Sequence, residues 1–242
     1  MPTTNLESFD FPPGRILARK YRVEERLGSG YESEVYRVEE LSTGIHRAAK
    51  VFFPQHNVQD RAARFYARKL DRLRRCSILV QYHHTETFWH RGLRVTGLFS
   101  ELVEGQLLED FISQQRGKRL QTFEALCLLH GLASGLEQIH LRKEYHGDVH
   151  DRNVLVNRQG IGFELKLLDF YEWGRPDRQK IREDVIQLVR ILYDAVGGRK
   201  RYATQPPEIK AICCGLRQDL ITRRFPTASH LRTHLETFSW GE

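Results

Sequence analysis

Apolar and polar residues alternate along the first hundred positions in short runs, a period that is typical of β-strands. Such runs cover residues 21–27, 33–38, 47–52, 80–88 and 93–102. Between the third and fourth runs, residues 59–75 carry apolar side chains at roughly helical spacing, namely Ala62, Phe65, Leu70 and Leu73. The N-terminal part of the chain is therefore predicted to form five antiparallel strands and one helix.

The pattern becomes helical from Leu107 onward. The longest helical pattern covers residues 123–140, where leucine or isoleucine recurs every three or four positions. Further helices are predicted at 182–195, 208–216 and 228–238, with a pair of short strands at 154–157 and 164–168. A sheet lobe followed by a mostly helical lobe is an α+β architecture.

These patterns divide the chain into a short extension and two lobes. Residues 1–18 precede the first predicted strand and form an N-terminal extension. The sheet lobe covers residues 19–102, and the helical lobe covers residues 106–242. A hinge is predicted at residues 101–105, where the strand pattern ends.

The composition narrows the class of protein. The chain has 242 residues, of which 40% are hydrophobic and 29% charged, as in ordinary globular domains. Residues 1–14 hold no apolar run that would act as a signal peptide, and charges such as Arg190 interrupt the longer apolar stretches, so no membrane span is expected. The four cysteines lack metal-ligand spacing, and reduced thiols in a cytoplasmic protein are the simpler interpretation.

A net charge of +7 makes the chain basic and suggests an acidic substrate or partner. The predicted helix at 59–75 is densely basic, with Arg61, Arg64, Arg68, Lys69, Arg72, Arg74 and Arg75. Nucleic-acid binding is nevertheless disfavoured, because neither a recognised binding motif nor interleaved aromatic residues accompany these charges. A solvated helix face explains them more simply.

Two segments of the predicted sheet have the chemistry to bind an anion. Gly28 and Gly30 lie between two strands, where the backbone can turn tightly and bring N–H groups close to phosphate oxygens. Lys50 lies between apolar residues on the third strand, and a buried ammonium group is costly unless it meets an anion. Each signal is weak by itself, because the glycines could mark an ordinary hairpin and the lysine could reach solvent.

A third segment carries the strongest chemical signal. Asp148 and Asn153 are separated by four residues, and Asp169 with Phe170 follows the second short strand. Oxygen ligands of this kind can hold a divalent cation while one carboxylate orients a hydroxyl group. A glycine turn, a strand lysine, Asp-x4-Asn and Asp-Phe in this order are hard to obtain by chance.

With these motifs the chain resembles the protein kinase superfamily, in particular bacterial Ser/Thr kinases, from about Arg19 to Phe238. The resemblance implies a bilobal kinase-like fold that binds ATP and Mg²⁺ and transfers the γ-phosphate to a hydroxyl group of a protein or a small molecule. The nucleotide contacts that it implies are Leu27, Gly28, Ser29, Gly30, Val35, Ala48, Lys50, Ser100, Glu101, Val103 and Leu155. The catalytic residues that it implies are Asp148, Lys50, Asn153, Asp169 and His150, with Asn153 and Asp169 as metal ligands.

The resemblance also implies a role for each of these groups. Asp148 would accept or orient the proton of the acceptor hydroxyl, and Lys50 would pair with the α- and β-phosphates. Asp184 matches the aspartate that braces the catalytic loop. His150 stands where Ser/Thr kinases usually carry lysine, a form that is similar to aminoglycoside and choline phosphotransferases, and it would contact the γ-phosphate.

The helix at 59–75 departs from the family pattern because it contains no glutamate to pair with Lys50. That glutamate would be expected near Ala67. The carboxylates that could replace it are Glu32, Glu34, Asp60, Asp71 and Asp169.

Three further departures lie around the catalytic segment. Gly147 replaces the arginine that usually precedes the catalytic aspartate, and Tyr171 replaces the glycine that usually follows Asp-Phe. Asp169 and Asp184 are only 15 positions apart, so the long segment that docks peptides in most protein kinases is missing.

Three functions therefore stay open. The leading one is a phosphotransferase of Ser/Thr protein kinase type. The short segment and the His-Gly-Asp-x-His pattern favour a kinase for a small molecule or a cell-envelope sugar, and the missing helix glutamate favours a pseudokinase that binds nucleotide without catalysis. By count alone, His140, His146 and His150 could also form a zinc site.

Overall fold

A computed structural model describes residues 5–160, 162–170 and 174–238. These residues form two compact units. The first, which we call the sheet unit, contains the chain up to Arg75 and Val80–Val103. The second, the helical unit, contains Cys76–Leu79 and the chain from Glu104 onward.

The sheet unit is built from an antiparallel sheet and one helix. Its elements are β1 (Ile16–Leu17), β2 (Tyr21–Ser29), β3 (Ser33–Glu40), β4 (His46–Phe52), α1 (Arg61–Arg72), β5 (Tyr82–His90) and β6 (Leu93–Glu101). The sheet has six strands in the order β1-β2-β3-β4-β6-β5, one strand more than the five that were predicted. The added strand pairs Ile16 with Arg22 and Leu17 with Tyr21, and two residues are too few to show an alternating pattern.

One face of this sheet is covered by the N-terminal residues. Tyr36 on β3 and Ala49 on β4 are fully buried there, in one apolar cluster with Phe9 and Phe11. The Phe9 ring stacks on Phe11 at a centroid distance of 5.1 Å. Burying a phenylalanine side chain contributes about 1.5–3 kcal/mol, so residues that precede the predicted lobe help to stabilise the sheet.

The buried face of the helix α1 agrees only in part with the predicted one. Leu70 and Leu73 are buried as predicted, but Ala63 and Tyr66 are buried in place of Ala62 and Phe65. A spacing of three and four residues through Ala63, Tyr66 and Leu70 fits the helical repeat better than the predicted set does. The helix also begins later than predicted, because Gln59 and Asp60 adopt left-handed backbone angles with φ of 53° and 58°.

The helical unit contains a three-stranded sheet and most of the helices. Its elements are β7 (Gln106–Leu107), α2 (Leu108–Gln114), α3 (Thr122–His140), β8 (Val154–Gln159), β9 (Gly162–Leu167), α4 (Arg178–Ala195), α5 (Gly198–Arg201), α6 (Pro207–Cys213), α7 (Gln218–Arg224) and α8 (Ala228–Thr237). The strand order is β7-β8-β9. The sequence pattern does not identify β7, α2, α5 and α7, which have 2, 7, 4 and 7 residues.

The core of this unit forms around α3. Leu132 and Leu136 are fully buried, and α4, α8 and β9 pack against this helix. A capping box starts α3, in which the Glu124 carboxylate accepts from the N–H of Gln121 at 3.2 Å. Among the residues that the structure describes, no helix is both long and apolar enough to cross a membrane.

Candidate active site

The strand register brings several predicted nucleotide contacts to one face of the sheet unit. Lys50 pairs with Val35 on one side and with Leu98 on the other, and Ala48 pairs with Ser100. Paired residues share a face, and so do residues two positions apart on one strand. Val35, Ala48, Lys50 and Ser100 therefore lie on the face opposite to Tyr36 and the N-terminal phenylalanines.

The glycine turn follows directly from this sheet. β2 ends with Leu27, Gly28 and Ser29, and Gly28 pairs with Val35 on β3. The N–H of Gly30 donates to the Ser33 carbonyl at 2.9 Å and closes the turn. The turn is thus a tight hairpin that is continuous with the strand of Val35.

The predicted hinge residues lie at the end of β6. Ser100 is buried, and its hydroxyl donates to the carbonyl of Glu101 at 3.3 Å. The N–H of Glu101 is bound to the Gln81 carbonyl at 2.9 Å. The N–H of Val103 meets no acceptor within the described part of the chain, which leaves it available to a ligand.

Lys50 contacts aromatic rings within the sheet unit. Its Nζ lies 4.2 Å from the ring centroid of Tyr66 on α1 and 5.8 Å from that of Phe52. An ammonium group within about 6 Å of a ring centroid is attracted by the negative face of the ring. Tyr66 immediately precedes Ala67, where the pairing glutamate was expected.

Three of the carboxylates proposed for Lys50 are bound elsewhere. Glu34 points to the opposite face of the sheet, where it accepts from the Ser8 hydroxyl at 2.6 Å and from the N–H of Phe9 at 3.1 Å. Asp60 accepts from Thr96 and Arg94, and Asp71 from Arg74. Glu32 forms no ion pair with any described residue. The pairing of Lys50 with Asp169 stays a prediction.

The predicted catalytic segment of the helical unit is held by a buried aspartate. Asp184 on α4 is fully buried and accepts from the N–H groups of His146 at 2.7 Å and Gly147 at 2.8 Å. His140 Nε2 lies 3.1 Å from the same carboxylate. Gly147 has a φ of 88°, a left-handed angle that favours glycine over the arginine usual at this position.

A second residue of α4 also holds the predicted catalytic segment. Gln187 lies three positions after Asp184, on the same side of the helix, and its Oε1 accepts from the N–H of Val149 at 2.9 Å. His140 and His146 thus serve the bracing of this segment. The described residues contain no group of three His, Cys, Asp or Glu side chains arranged to hold a metal ion, so the zinc alternative gains no support from them.

Asp148, Asn153 and His150 form a polar group at the end of the braced segment. Asn153 Nδ2 donates to Asp148 Oδ2 at 2.8 Å and to the Asp148 carbonyl at 3.0 Å. His150 Nε2 lies 3.5 Å from the same Oδ2, while its Nδ1 accepts from the N–H of Arg152 at 3.2 Å. The acceptor role of Nδ1 places the ring proton on Nε2, next to the carboxylate.

These contacts lower the pKa of Asp148. The hydrogen bond from His150 lowers it most, partial burial opposes that effect, and the charge of His150 and the hydrogen bond from Asn153 lower it further. The side chain is 40% exposed, and Oδ1 accepts no hydrogen bond from a described residue. The carboxylate is therefore ionised at neutral pH and has one oxygen available to a substrate.

The predicted metal ligands are brought together through the main chain. The N–H of Leu168 donates to the Asn153 carbonyl at 2.8 Å, so Asp169 follows directly after a contact with Asn153. Asp169 is exposed and has a φ of 45°, while the ring of Phe170 packs against His146 at 5.0 Å. Tyr171 lies outside the described residues.

The chemistry of this pair fits a magnesium ion. The amide nitrogen of Asn153 is bound to Asp148, and no described residue donates to Asn153 Oδ1. Mg²⁺ prefers oxygen ligands and usually takes only one or two protein groups besides water and phosphate. Asn153 Oδ1 and the Asp169 carboxylate supply such a set. Leu155, the predicted adenine contact of this unit, lies on β8 opposite Lys166.

The chain after Phe170 returns quickly to helix. α4 begins at Arg178, and Asp177 caps it by accepting from the N–H of Lys180 at 2.9 Å. The Tyr145 hydroxyl donates to the Gly174 carbonyl at 3.0 Å, and the Lys180 ammonium donates to the Arg175 carbonyl. The described part of this short segment is thus bound to its own unit.

Sequence reasoning missed the Tyr66 ring beside Lys50, the contact of Gln187 and the supporting role of His146. A signal for Tyr66 was present, because Ala63, Tyr66 and Leu70 follow the helical repeat. Nothing local identifies Gln187 or His146, since their contacts join residues that are far apart in sequence.

Comparisons with known proteins agree with these observations. Residues 21–174 match the family model of the protein kinase domain. Serine/threonine-protein kinase pkn2 of Myxococcus xanthus is 32% identical over 162 residues, which is 66% of this chain and 19% of that protein. Cyclin-dependent kinase C-2 C of Arabidopsis thaliana is 31% identical over 160 residues, which is 64% of this chain and 23% of that protein. The chain thus spans about a fifth of the length of these curated relatives.

A solved structure supports the fold over nearly the whole chain. The crystal structure of a double mutant of the Mycobacterium tuberculosis PknI kinase domain has a TM-score of 0.64 at 19% identity. The match covers 93% of this chain and 96% of that one. The predicted α+β fold of kinase type is confirmed.

Proposed function

Because this chain belongs to the protein kinase family, we propose that it is an ATP-dependent phosphotransferase that transfers the γ-phosphate of Mg·ATP to a hydroxyl group. The observation that carries the proposal is the Asp148 carboxylate. Its Oδ2 is held by Asn153 at 2.8 Å and faces His150 at 3.5 Å, while Oδ1 stays open. A positioned and ionised carboxylate is what the acceptor hydroxyl requires.

In this mechanism Asp148 orients the acceptor hydroxyl and takes its proton as the phosphate is transferred. The lowered pKa makes Asp148 a weak base that is ionised at neutral pH, so its main contribution is orientation. His150, on the open side of this group, would contact the γ-phosphate. Its proton on Nε2 lets it donate to an anion.

Asn153 and Asp169 would hold Mg²⁺ in the helical unit. The ion, when bound, neutralises phosphate charge and aligns the phosphates. In the sheet unit, the glycine turn and Lys50 would contact the phosphates of ATP. Val35, Ala48 and the end of β6 would contact the adenine, with the free N–H of Val103 as a donor to the base.

A protein Ser or Thr hydroxyl is the leading acceptor, as in the relatives named as serine/threonine kinases. A small-molecule acceptor is the second candidate, because the chain passes from Phe170 to α4 at Arg178 without room for an extended peptide platform. In both cases generic peptides should be poor substrates. The proposal includes a cytoplasmic location, where ATP is available and the four free cysteines would stay reduced.

The test is incubation with γ-labelled ATP and Mg²⁺, first of the chain alone and then with a cell lysate. Label is scored on the chain, on other proteins and on small molecules. Asp148→Asn should lower transfer at least about 100-fold, the usual scale for a positioned general base, and leave ATP binding nearly intact. Asp151→Asn, in the same loop, is the matched control. ATP binding without transfer by the wild type would favour the pseudokinase, and full activity of Asp148→Asn would exclude the mechanism.

A further inference from the structure

The solvent-facing side of α1 carries a row of arginines. Arg61, Arg64 and Arg68 are all exposed and follow one another at intervals of three and four residues, so they lie on one side of the helix. Ala63 and Leu70 are buried on the opposite side. At a rise of 1.5 Å per residue, the row is about 10 Å long. None of these arginines forms an ion pair with a residue that the structure describes.

The stability of the helix does not explain this row. Like charges three or four positions apart repel each other, and basic residues in the first turn are unfavourable because the helix dipole is positive there. The Arg64 guanidinium group donates to the carbonyl of Gln59, which does not neutralise its charge. The only carboxylate of α1, Asp71, is bound to Arg74. The exposed side of α1 therefore keeps a concentrated positive charge.

An exposed tryptophan lies beside the start of α1. Trp89 on β5 pairs with Arg94 on β6, so the two side chains share a face of the sheet. Arg94 Nη1 donates to Asp60 Oδ2 at 2.8 Å, and Asp60 immediately precedes α1. The Trp89 residue is 70% exposed. Tryptophan and arginine are enriched among the residues that supply most of the binding energy of protein–protein interfaces, so their combination here indicates a docking site.

We propose that Arg61, Arg64, Arg68 and Trp89, which we call the basic surface, bind an acidic segment of the protein substrate. The inference rests on the proposed function. A guanidinium group binds a carboxylate through two parallel hydrogen bonds, so a row of arginines is complementary to glutamate and aspartate side chains. The ring of Trp89 would cover an apolar residue of the same segment.

The basic surface would supply substrate affinity that the short segment after Phe170 does not. Because α4 begins at Arg178, little chain is left there to align an extended peptide. A substrate that is held through a separate acidic segment presents its hydroxyl group at a higher effective concentration. The proposed substrates are therefore proteins with a segment rich in glutamate or aspartate, apart from the residue that is phosphorylated.

The composition of the basic surface favours a protein over other anionic partners. Single-stranded nucleic acid stacks successive bases on several aromatic rings, whereas this surface contains the single ring of Trp89. A helix that lies on a membrane inserts its apolar face into the lipid, but the apolar face of α1 is buried in the sheet unit. An acidic protein segment needs only carboxylates and one apolar side chain.

Binding is tested with a fluorescein-labelled peptide of about ten residues, long enough to span the row when extended, in which glutamates flank one central leucine. Its fluorescence anisotropy is followed as the full chain is added. The triple variant Arg61→Glu, Arg64→Glu, Arg68→Glu should weaken binding at least about tenfold, because attraction becomes repulsion. The same peptide with glutamine in place of glutamate should not bind, and equal binding of the two peptides would contradict the inference.

A matched control separates the location of the charge from the net charge. Arg199→Glu, Lys200→Glu and Arg201→Glu together change the net charge by the same amount at exposed residues of α5. This variant should weaken binding less than about twofold, because charges far from an interface are screened by salt. Equal weakening in the two triple variants would overturn the inference.

Trp89→Ala provides a test that leaves the charge unchanged and affects an exposed position, so it stays informative if the triple variant of α1 does not fold. It should weaken binding of the acidic peptide about fivefold, as expected when an aromatic anchor is removed. The peptide should also change the tryptophan fluorescence of the wild type, and Trp89→Ala should abolish that change. Unaltered affinity in Trp89→Ala would contradict the docking site.

Competition identifies the class of partner. A single-stranded DNA oligonucleotide of the same charge and vesicles that contain phosphatidylserine are tested against the labelled peptide. Each should displace it at least about tenfold less well than the unlabelled acidic peptide does, because neither matches the arrangement of carboxylate-binding groups and one ring. Better displacement by DNA or by vesicles would overturn the assignment to an acidic protein segment.

A transfer assay then separates this proposal from the proposed function. With γ-labelled ATP, an acidic segment attached to a serine-containing peptide should lower the KM for that peptide at least about tenfold and leave kcat within about twofold. If the acidic peptide binds at the basic surface but no acceptor is phosphorylated, the proposed function fails and the docking surface stands. If phosphate is transferred but the acidic segment neither binds nor lowers KM, only the docking surface fails.

Discussion

In each of the two units, a fully buried carboxylate accepts hydrogen bonds from a stretch of chain that has no regular secondary structure. In the sheet unit, Glu34 on β3 accepts from the hydroxyl of Ser8 and the N–H of Phe9. In the helical unit, Asp184 on α4 accepts from the N–H groups of His146 and Gly147. A buried carboxylate is tolerated only when hydrogen bonds replace its hydration, and in both places a segment without regular structure provides them.

The two carboxylates differ in the role of the segment that each of them binds. Glu34 lies on the sheet face opposite to Lys50, and it also binds Arg26 at 3.4 Å and the Tyr36 hydroxyl. Burial, followed by that hydrogen bond, raises the pKa of Tyr36 well above its usual range. Asp184 instead positions the segment that carries Asp148. A buried, hydrogen-bonded carboxylate therefore stabilises the sheet in one unit and positions a reacting group in the other.

The largest effect is expected for Asp184→Ala. The change leaves the N–H groups of His146 and Gly147 buried without acceptors, at about 1–3 kcal/mol each, and releases the segment of Asp148. Phosphate transfer should fall at least as far as in Asp148→Asn, and the free energy of unfolding should drop by about 3 kcal/mol in urea titrations. The exposed neighbour Glu183→Gln is the control. A stable and active Asp184→Ala variant would contradict the bracing role.

Glu34→Gln should separate stability from activity. The change removes the negative charge to which Ser8, Phe9 and Arg26 are bound, so the free energy of unfolding should fall by about 1–3 kcal/mol. Hydrogen exchange at the Phe9 amide should become faster, whereas kcat should stay close to that of the wild type. Glu39→Gln on the same strand is the control. A loss of kcat as large as that of Lys50→Ala would place Glu34 in the site and break the comparison.

Replacing His150 should change the pH at which the partly exposed Asp148 is protonated. The lowered pKa keeps Asp148 ionised to lower pH, and activity is lost only as the pH falls through that value. In His150→Ala the largest cause of the lowering is gone, so the acid limb of the kcat/KM profile should move to higher pH. Asp151→Asn should leave the limb in place. An unmoved acid limb in His150→Ala would show that another group titrates there.

The smallest effect is expected for an exposed carboxylate. Asp71 pairs with Arg74 at 3.4 Å, and both side chains are more than 60% exposed. Asp71→Asn should change the free energy of unfolding by less than about 0.5 kcal/mol, because water and salt screen such a pair. A change comparable to that of Glu34→Gln would show that burial is not what distinguishes the first two carboxylates.

Much of the fold follows from local periodicity. The alternating runs gave five of the six strands of the sheet unit, and the helical repeat gave α1, α3, α4, α6 and α8. The missed elements, β1, β7, α2, α5 and α7, are 2 to 7 residues long, which leaves few apolar positions from which to recognise a period. Most of the candidate site was also predictable, because Asp148 and Asn153 lie within one short loop and Val35, Ala48 and Lys50 share a face by strand alternation.

By itself the sequence determined which side chains can share a face or a loop, since that depends on backbone periods of two and 3.6 residues. Only the tertiary structure decided how the buried charges are used. Asp184 contacts residues 37 and 38 positions away, and Glu34 residues 25 and 26 positions away. Such pairs form because each burial removes water and leaves the nearest polar group in space as the only replacement, and no local pattern records which group that is.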